Sequence, residues 1–452
     1  MRTVRIKDTL SGDYVALEGP EVGIYACGPT VYSRIHIGNA RPYVVFSVLA
    51  RFLRSEGYVP RLVINVTDVN DKIYDAARAE GVASAELAQR MTDAYREDTG
   101  RLGLGRPDAE PLATETMAQI IDLIGALVER GHAYPSGGDV YFRVASFGDY
   151  GKLSNRDPDA MDQGEEAGSA DLKESPLDFA LWKGEKEGED TAWDSPWGRG
   201  RPGWHIECSA MAEAELGTTF EIHGGGSDLV FPHHENELAQ SEGARGKPLA
   251  RIWMHNGMVL AGPEAKMAKS VGNVFLLHEA LDRYGSEAIV DFLLSGHYRQ
   301  PLAFGPEQLE QAKARIERFR NFFREHPPET EGSAEGVDEF ATQRREDFLD
   351  ALAEDFNTPR AMAELHDLVT EANKRPVPGA SATLFELLKV VGLESLAATE
   401  DEPDPEAQAL LEQREAARAD RDFATADELR DRLAAMGWEV RDSAEGARLV
   451  RR

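Results

Sequence analysis

The sequence predicts an α/β protein: a parallel-sheet domain carrying an insertion, followed by an α-helical bundle and a small C-terminal tail. Three observations carry that reading. Short β-rich apolar runs at Val22–Ala26 and Leu62–Val66 flank an amphipathic helix, and a second pair, Thr219–His223 and Ile252–Leu260, flanks a helix starting near Pro232. From Pro306 onward apolar residues recur at helical spacing. Strand, helix, strand, repeated after a break, is the pattern of a parallel sheet with crossover helices.

Taken in order, the first run ends at Cys27-Gly28-Pro29, and the helix after it is marked by Asn39 and Arg41-Pro42, proline being tolerated in a first turn. Its apolar face is Val44, Val45, Val48, Leu49, Phe52 and Leu53. Between residues 100 and 200 periodicity weakens, and Asp157–Asp190 is polar, acidic and glycine-rich, which reads as an insertion with mobile parts. The bundle is announced by Ile316, Phe319, Phe322 and Phe323, then Phe348, Leu349 and Leu352, then Met362, Leu365 and Leu368. An acidic, proline-bearing linker, Ala397–Ala407, sets off a last helical piece. The expected boundaries are 1–110 and 201–260 for the two sheet halves, 111–200 for the insertion, 261–305 for a lysine-bearing loop and its support, 306–396 for the bundle and 397–452 for linker and tail.

At 452 residues the chain is long enough for several domains and a substantial core. No apolar stretch approaches the roughly 20 residues of a membrane span, and the start lacks a secretory apolar core, so a cytoplasmic protein with no membrane partner is expected. Two cysteines, Cys27 and Cys208, are too few for a disulfide framework. A net charge of -30 argues against broad attraction to a nucleic-acid backbone, so RNA contacts must be local. Of 50 basic residues only 12 are lysine, a skew that fits either a high-salt cytoplasm or GC-rich codon usage.

The strongest chemistry lies in Cys27, Cys208, His233 and Glu237: two thiols, an imidazole and a carboxylate, all zinc-ligand types. His233 and Glu237 are four apart, which puts them on one face of a helix starting after Pro232, while the cysteines are expected at the ends of the two sheet halves. Singly, each has a bland explanation, since an isolated buried cysteine is often a small hydrophobe. Four protein ligands also suit a purely structural zinc. A second group, His36-Ile37-Gly38-Asn39, precedes the first helix, where backbone N–H groups favour phosphate. Far downstream, Lys266-Met267-Ala268-Lys269-Ser270 puts two of the scarce lysines three apart between glycines, a cationic loop suited to polyphosphate.

Cys27 to Tyr32 leading into His36–Asn39, Gly203-Trp204-His205-Ile206-Glu207-Cys208-Ser209, and His223-Gly224-Gly225-Gly226-Ser227-Asp228 through Phe231-Pro232-His233-His234-Glu235-Asn236-Glu237 resemble the cysteinyl-tRNA synthetases, of class I. The likeness continues through Lys266–Ser270, Asp355-Phe356-Asn357-Thr358-Pro359 and Ala426-Asp427-Glu428-Leu429-Arg430. It implies a Rossmann-like catalytic domain, a KMSKS-type loop with a stem-contact region at 261–305, and an anticodon-binding tail. It implies that Cys27, Cys208, His233 and Glu237 hold one Zn2+ that takes the substrate thiolate, selecting L-cysteine over serine. It further implies that Thr67, Trp204 and His223 line the amino-acid pocket. His36, Gly38, Asn39, Lys266 and Lys269 would hold ATP, brought with Mg2+, while Gly224, Gly225 and Gly226 admit adenosine. His36, Asn39, Lys266 and Lys269 would act in catalysis.

The expected reaction is cysteinyl-adenylate formation and transfer to tRNA(Cys) by a monomer, with Arg430, Arg432, Arg441, Arg448, Arg451 and Arg452 as candidate RNA contacts in a tail whose net charge is only -1 (nine Arg against ten acids from Ala409). Two departures stand out: Ala268 replaces the usual serine, and Asp75 in Lys72-Ile73-Tyr74-Asp75 replaces a lysine of some members, which argues against a pyridoxal-phosphate side activity. The rivals are a ligase joining cysteine to an amino sugar in mycothiol synthesis, and a zinc-stabilised RNA-binding protein without catalysis.

Overall fold

The computed structural model describes residues 1–156, 171–261, 275–328, 337–398, 405–419, 422–436, 438–443 and 446–451. An N-terminal hairpin, β1 (Arg5–Lys7) and β2 (Tyr14–Ala16), precedes β3 (Glu21–Ala26), α1 (Ile37–Ser55) and β4 (Val59–Ile64). Helices α2 (Asp71–Glu80), α3 (Ser84–Gly100) and α4 (Met117–Glu129) lead to four strands, β5 (Ala133–Ser136), β6 (Asp139–Phe142), β7 (Phe179–Gly184) and β8 (Gly200–Pro202). Then follow α5 (Ile206–Leu216), β9 (Phe220–Gly226), α6 (Glu235–Arg245) and β10 (Ala250–Asn256).

The central sheet is parallel, in the order β10-β9-β3-β4, so the two halves meet between β3 and β9. In such sheets ligands bind beyond the carboxyl ends of the strands where the order reverses. Cys27 N–H donates to the Gly224 carbonyl (3.0 Å), which closes that junction at the end where the site lies.

Helix α1 begins at Ile37, earlier than Asn39 and Pro42 suggest, because His36 and Asn39 form a reciprocal cap. His36 Nδ1 accepts from Asn39 N–H (3.3 Å) and Asn39 Oδ1 accepts from His36 N–H (3.2 Å). Pro42 therefore sits inside the helix, where it deprives the Gly38 carbonyl of its intrahelical donor. The second half also departs from expectation. Ile252–Leu260 is two strands in different sheets, because the chain breaks from β10 at Gly257-Met258 and β11 (Val259–Ala261) pairs with β12 (Leu302–Phe304). The insertion holds an antiparallel sheet, β5-β6-β7-β8, packed with α4 on its own core around Ile124, Leu127, Phe142, Phe179 and Trp182. Its strands of three to six residues are too short to announce themselves by alternation.

Past α7 (Leu277–Tyr284) and α8 (Ser286–Leu294), the bundle consists of α9 (Pro306–Glu325), α10 (Glu339–Ala353), α11 (Thr358–Ala372) and α12 (Ala380–Val391). Its core is continuous with that around α1 and the central sheet. The Asp355-Phe356 step between α10 and α11 is left-handed at both residues (φ 60 and 48) and bolts the bundle down. Asp355 accepts from Lys7 N–H (2.9 Å), Tyr298 Oη (2.8 Å) and Arg299 Nε (2.9 Å). The tail is α13 (Pro405–Ala419) and α14 (Phe423–Ala435) plus a hairpin, β13 (Trp438–Ser443) and β14 (Gly446–Arg451), where helix alone was expected.

One bundle residue gives a pH-dependent stability. The His366 ring stacks on Phe319 (centroids 4.6 Å apart), neither ring nitrogen has a hydrogen-bond partner among the described residues, and burial holds its pKa down at about 4. The unfolded chain protonates this imidazole near 6.5 and the folded chain does not, so its contribution is present above pH 6.5 and is lost as pH falls toward 4. Allowing for partial exposure, the loss is on the order of 2 kcal/mol. His366→Phe is expected to flatten the decline in melting temperature between pH 7 and pH 5, and an unchanged slope would refute the assignment.

Candidate active site and metal centre

A cavity of about 680 Å³ opens at the carboxyl ends of β3 and β9. Its wall includes Cys27, Thr67, Trp204, Cys208 and His233, and also His36, Gly38, Asn39, Asn256 and Val259. Cys27 leaves the end of β3 directly. Cys208, expected at a strand end, is instead in the first turn of α5, since Trp204-His205 turns the chain into that helix. His233 sits in a wider five-residue turn, Val230–His234, that precedes α6, and Glu237 is in the first turn of α6. The four-residue spacing still brings them together, with His233 Nε2 3.0 Å from Glu237 Oε1.

Donor atoms of Cys27, Cys208, His233 and Glu237 all lie within 4.8 Å of one another, and all four residues are buried. Cys27 Sγ is 3.4 Å from Glu237 Oε1. A tetrahedral zinc with bonds of about 2.0–2.3 Å needs donors roughly 3.3–3.8 Å apart, so the set is close to the spacing such an ion requires. The protonation pattern agrees. A hydrogen bond with Cys27 pulls the Cys208 thiol down to about 6, whereas burial pushes the Cys27 thiol well up, so one thiolate is already favoured and a cation would release the other.

The supporting groups are histidines. His223 Nε2 holds the outer oxygen of Glu237 (2.8 Å), which leaves Oε1 turned toward Cys27 and His233. His233 Nδ1 meets His205 Nδ1 at 2.9 Å, and His234 Nδ1 meets His255 Nε2 at 2.8 Å. Burial keeps His205 and His234 well below the usual imidazole range and His255 at about 3, so these rings are neutral and can accept hydrogen bonds. A second donor group, Cys27, His223, His234 and Glu237, is equally compact. Cys27, Cys208 and His233 of the first set line the cavity, against Cys27 alone of the second, so the first set is the one that faces an entering ligand.

Of the residues expected to line an amino-acid pocket, His223 is the one off the cavity wall: it bonds to the outer oxygen of Glu237 and stacks on Trp253 (4.5 Å). Thr67 is on the wall, fixed by its N–H to the Pro29 carbonyl (3.1 Å), and Asn65 Nδ2 donates to its hydroxyl (3.3 Å). Trp204 stacks on His233 (4.6 Å) and remains 38% exposed, facing the cavity. Of the glycines, Gly226 lines the cavity, whereas Gly224 and Gly225 do not. Gly224 is needed for packing, because a Cβ there would fall 2.0 Å from the Phe46 ring of α1. Lys266 and Lys269 lie outside the described residues, as do the Arg441, Arg448, Arg451 and Arg452 side chains. Arg430 is exposed and pairs with Asp427 (3.3 Å).

His205, His234 and His255 went unnoticed in the sequence. A signal was present: five of the chain's 11 histidines fall between residues 205 and 255.

Comparison with known proteins decides the family. The model for the tRNA synthetases class I (C) catalytic domain matches residues 14–314, a DALR domain matches 347–389, and the cysteinyl-tRNA ligase anticodon binding domain matches 400–448. The cysteine–tRNA ligase of Symbiobacterium thermophilum is 47% identical over 96% of each chain, and that of Rubrobacter xylanophilus is 45% identical over all of both. The chain belongs to the cysteinyl-tRNA ligase family. Among solved structures, Mycobacterium tuberculosis methionyl-tRNA synthetase bound by methionyl-adenylate has the same fold (TM-score 0.63, 15% identity, 90% of this chain and 96% of that one). An anticodon-binding module is foreign to an amino-sugar ligase, so membership in the cysteinyl-tRNA ligases sets the mycothiol reading aside.

Proposed function

We propose that this protein activates L-cysteine with ATP and esterifies it onto tRNA(Cys). One observation carries the reading: a single cavity is lined both by members of a buried two-thiol donor set and by the capped start of α1. The first suits a thiol substrate and the second a polyphosphate. Zn2+ held by Cys27, Cys208, His233 and Glu237 would supply a Lewis-acid position that takes thiolate in preference to hydroxyl, which rejects serine without editing.

The protein then needs no nucleophile of its own. Thr67 and Trp204 hold the amino-acid backbone so that its carboxylate attacks the α-phosphorus in line, and pyrophosphate leaves. His36 and Asn39 with the α1 N-terminus, together with Lys266, Lys269 and ATP-borne Mg2+, carry the charge on the phosphate oxygens. Of the three glycines expected to admit adenosine, Gly226 is the one on the cavity wall and would take that place. The terminal ribose 2′-hydroxyl of the tRNA next attacks the adenylate carbonyl, and AMP departs. The bundle and the tail beyond residue 397 would grip the RNA, the near-neutral stretch from Ala409 being the favourable part of an acidic surface.

No helix among the described residues is long and apolar enough to cross a membrane. Tasked with tRNA charging, the protein would work in the cytoplasm, and since one chain supplies every donor, a monomer suffices. Purified protein is expected to exchange pyrophosphate into ATP with cysteine and to remain at background with serine. Absence of cysteine-dependent exchange from metal-loaded protein would overturn the assignment.

A further inference from the structure

Arg41 is completely buried in α1, one turn beyond the His36–Asn39 cap, yet among the described residues it makes no ion pair. Its two terminal nitrogens donate to main-chain carbonyls, while Nε has no hydrogen-bond partner among the described residues. Nη1 donates to Gly257 (2.6 Å), Gln300 (2.8 Å) and Met258 (3.3 Å), and Nη2 to His297 (3.2 Å). Burial lowers its pKa to about 10, so it stays charged at neutral pH. Keeping an unpaired cation in the core is costly, and a neutral side chain would be cheaper unless the fork itself were needed.

What the fork grips is the second wall of the nucleotide side. Gly257 and Met258 are where the chain leaves β10, and Asn256 through Val259 face the cavity together with His36, Gly38 and Asn39. The grip is tight, since a Cβ on Gly257 would fall 2.3 Å from the Gln300 carbonyl oxygen. Gln300 and His297 in turn precede β12, which pairs with β11 from Val259. Arg41 thus ties the start of α1 to the 256–259 stretch that lines the same cavity, and no other side chain among the described residues bonds to the carbonyls of Gly257, Met258 and Gln300 together.

We propose that Arg41 is a positioning residue for adenylate formation, setting the 256–259 wall against His36 and Asn39 through main-chain carbonyls without touching substrate. The proposal rests on the ATP reading of the cavity, and it predicts a loss confined to the nucleotide. A misplaced wall costs about 10- to 100-fold in the reaction. Arg41→Lys keeps the charge and the bulk but not the planar fork, so it separates geometry from charge.

The experiment is cysteine-dependent pyrophosphate exchange by metal-loaded wild type, Arg41→Lys and Arg41→Gln, with zinc content and melting temperature measured alongside. Both variants are expected to lose about 10- to 100-fold in kcat/KM for ATP, with KM for cysteine and zinc content unchanged. Wild-type ATP kinetics in Arg41→Lys would overturn the proposal. So would a parallel loss for ATP and cysteine, or failure of Arg41→Lys to fold, either of which makes Arg41 merely structural. A wild type without exchange would instead defeat the functional reading.

Discussion

Cys208→Ala is expected to abolish cysteine-dependent pyrophosphate exchange by at least about 1,000-fold and to lower bound zinc below one ion per chain. The size follows from what remains. Cys27, His233 and Glu237 are still buried against one another, but three donors hold a zinc ion less firmly than four, and the thiolate most easily formed is gone. Glu237 then has fewer cations to face while His223 continues to hold its outer oxygen. Metal analysis together with exchange at saturating ATP checks this. Full exchange by Cys208→Ala, or by wild type stripped of metal with chelator, would sink the selection argument, because nothing else on the cavity wall separates a thiol from a hydroxyl.

Lys269→Ala should cost about 100- to 1,000-fold in the rate of adenylate formation while cysteine affinity stays put. The magnitude is that of losing one charged donor aimed at oxygens that gain charge in the transition state. Among the described residues, the Lys or Arg side chains lining the cavity are Arg34 and Lys72, and Arg34 is paired with Asp98 (2.7 Å). Single-turnover formation of cysteinyl-adenylate, compared with cysteine binding measured directly, separates the two effects. Undiminished single-turnover rate in the variant would remove Lys269 from the phosphate site.

Much of the site could be read from residue types. Cys27, Cys208, His233 and Glu237 are uncommon chemistry in a chain with two cysteines, and the four-residue interval between the last two survives even though His233 lies in a wide turn before α6. Side-chain reach absorbs a change of local backbone form when the residues are that close in sequence. His36-Ile37-Gly38-Asn39 was also legible as a helix start, but its cap was not. An imidazole as N-cap acceptor lies outside the usual Ser, Thr, Asp and Asn signals, so the helix boundary drifted to Asn39 and Pro42. The short strands β5 to β8 and the terminal hairpin escaped for want of length, three to six residues giving alternation little room.

By itself the sequence determined the strand-helix-strand halves of the central sheet and the helical bundle after them, the kinds of ligand atom available and the family to which they belong, because these depend on periodicity and on chemistry carried by single residues. Tertiary structure alone decided which histidines stand on the cavity wall and which stand behind Glu237, that Gly224 makes room for Phe46, and that Arg41 spends its charge on carbonyls 216 to 259 residues away in the chain. Those choices follow from close packing across the parallel sheet, where β3 meets β9 and residues without any sequence relation compete for the same few ångströms.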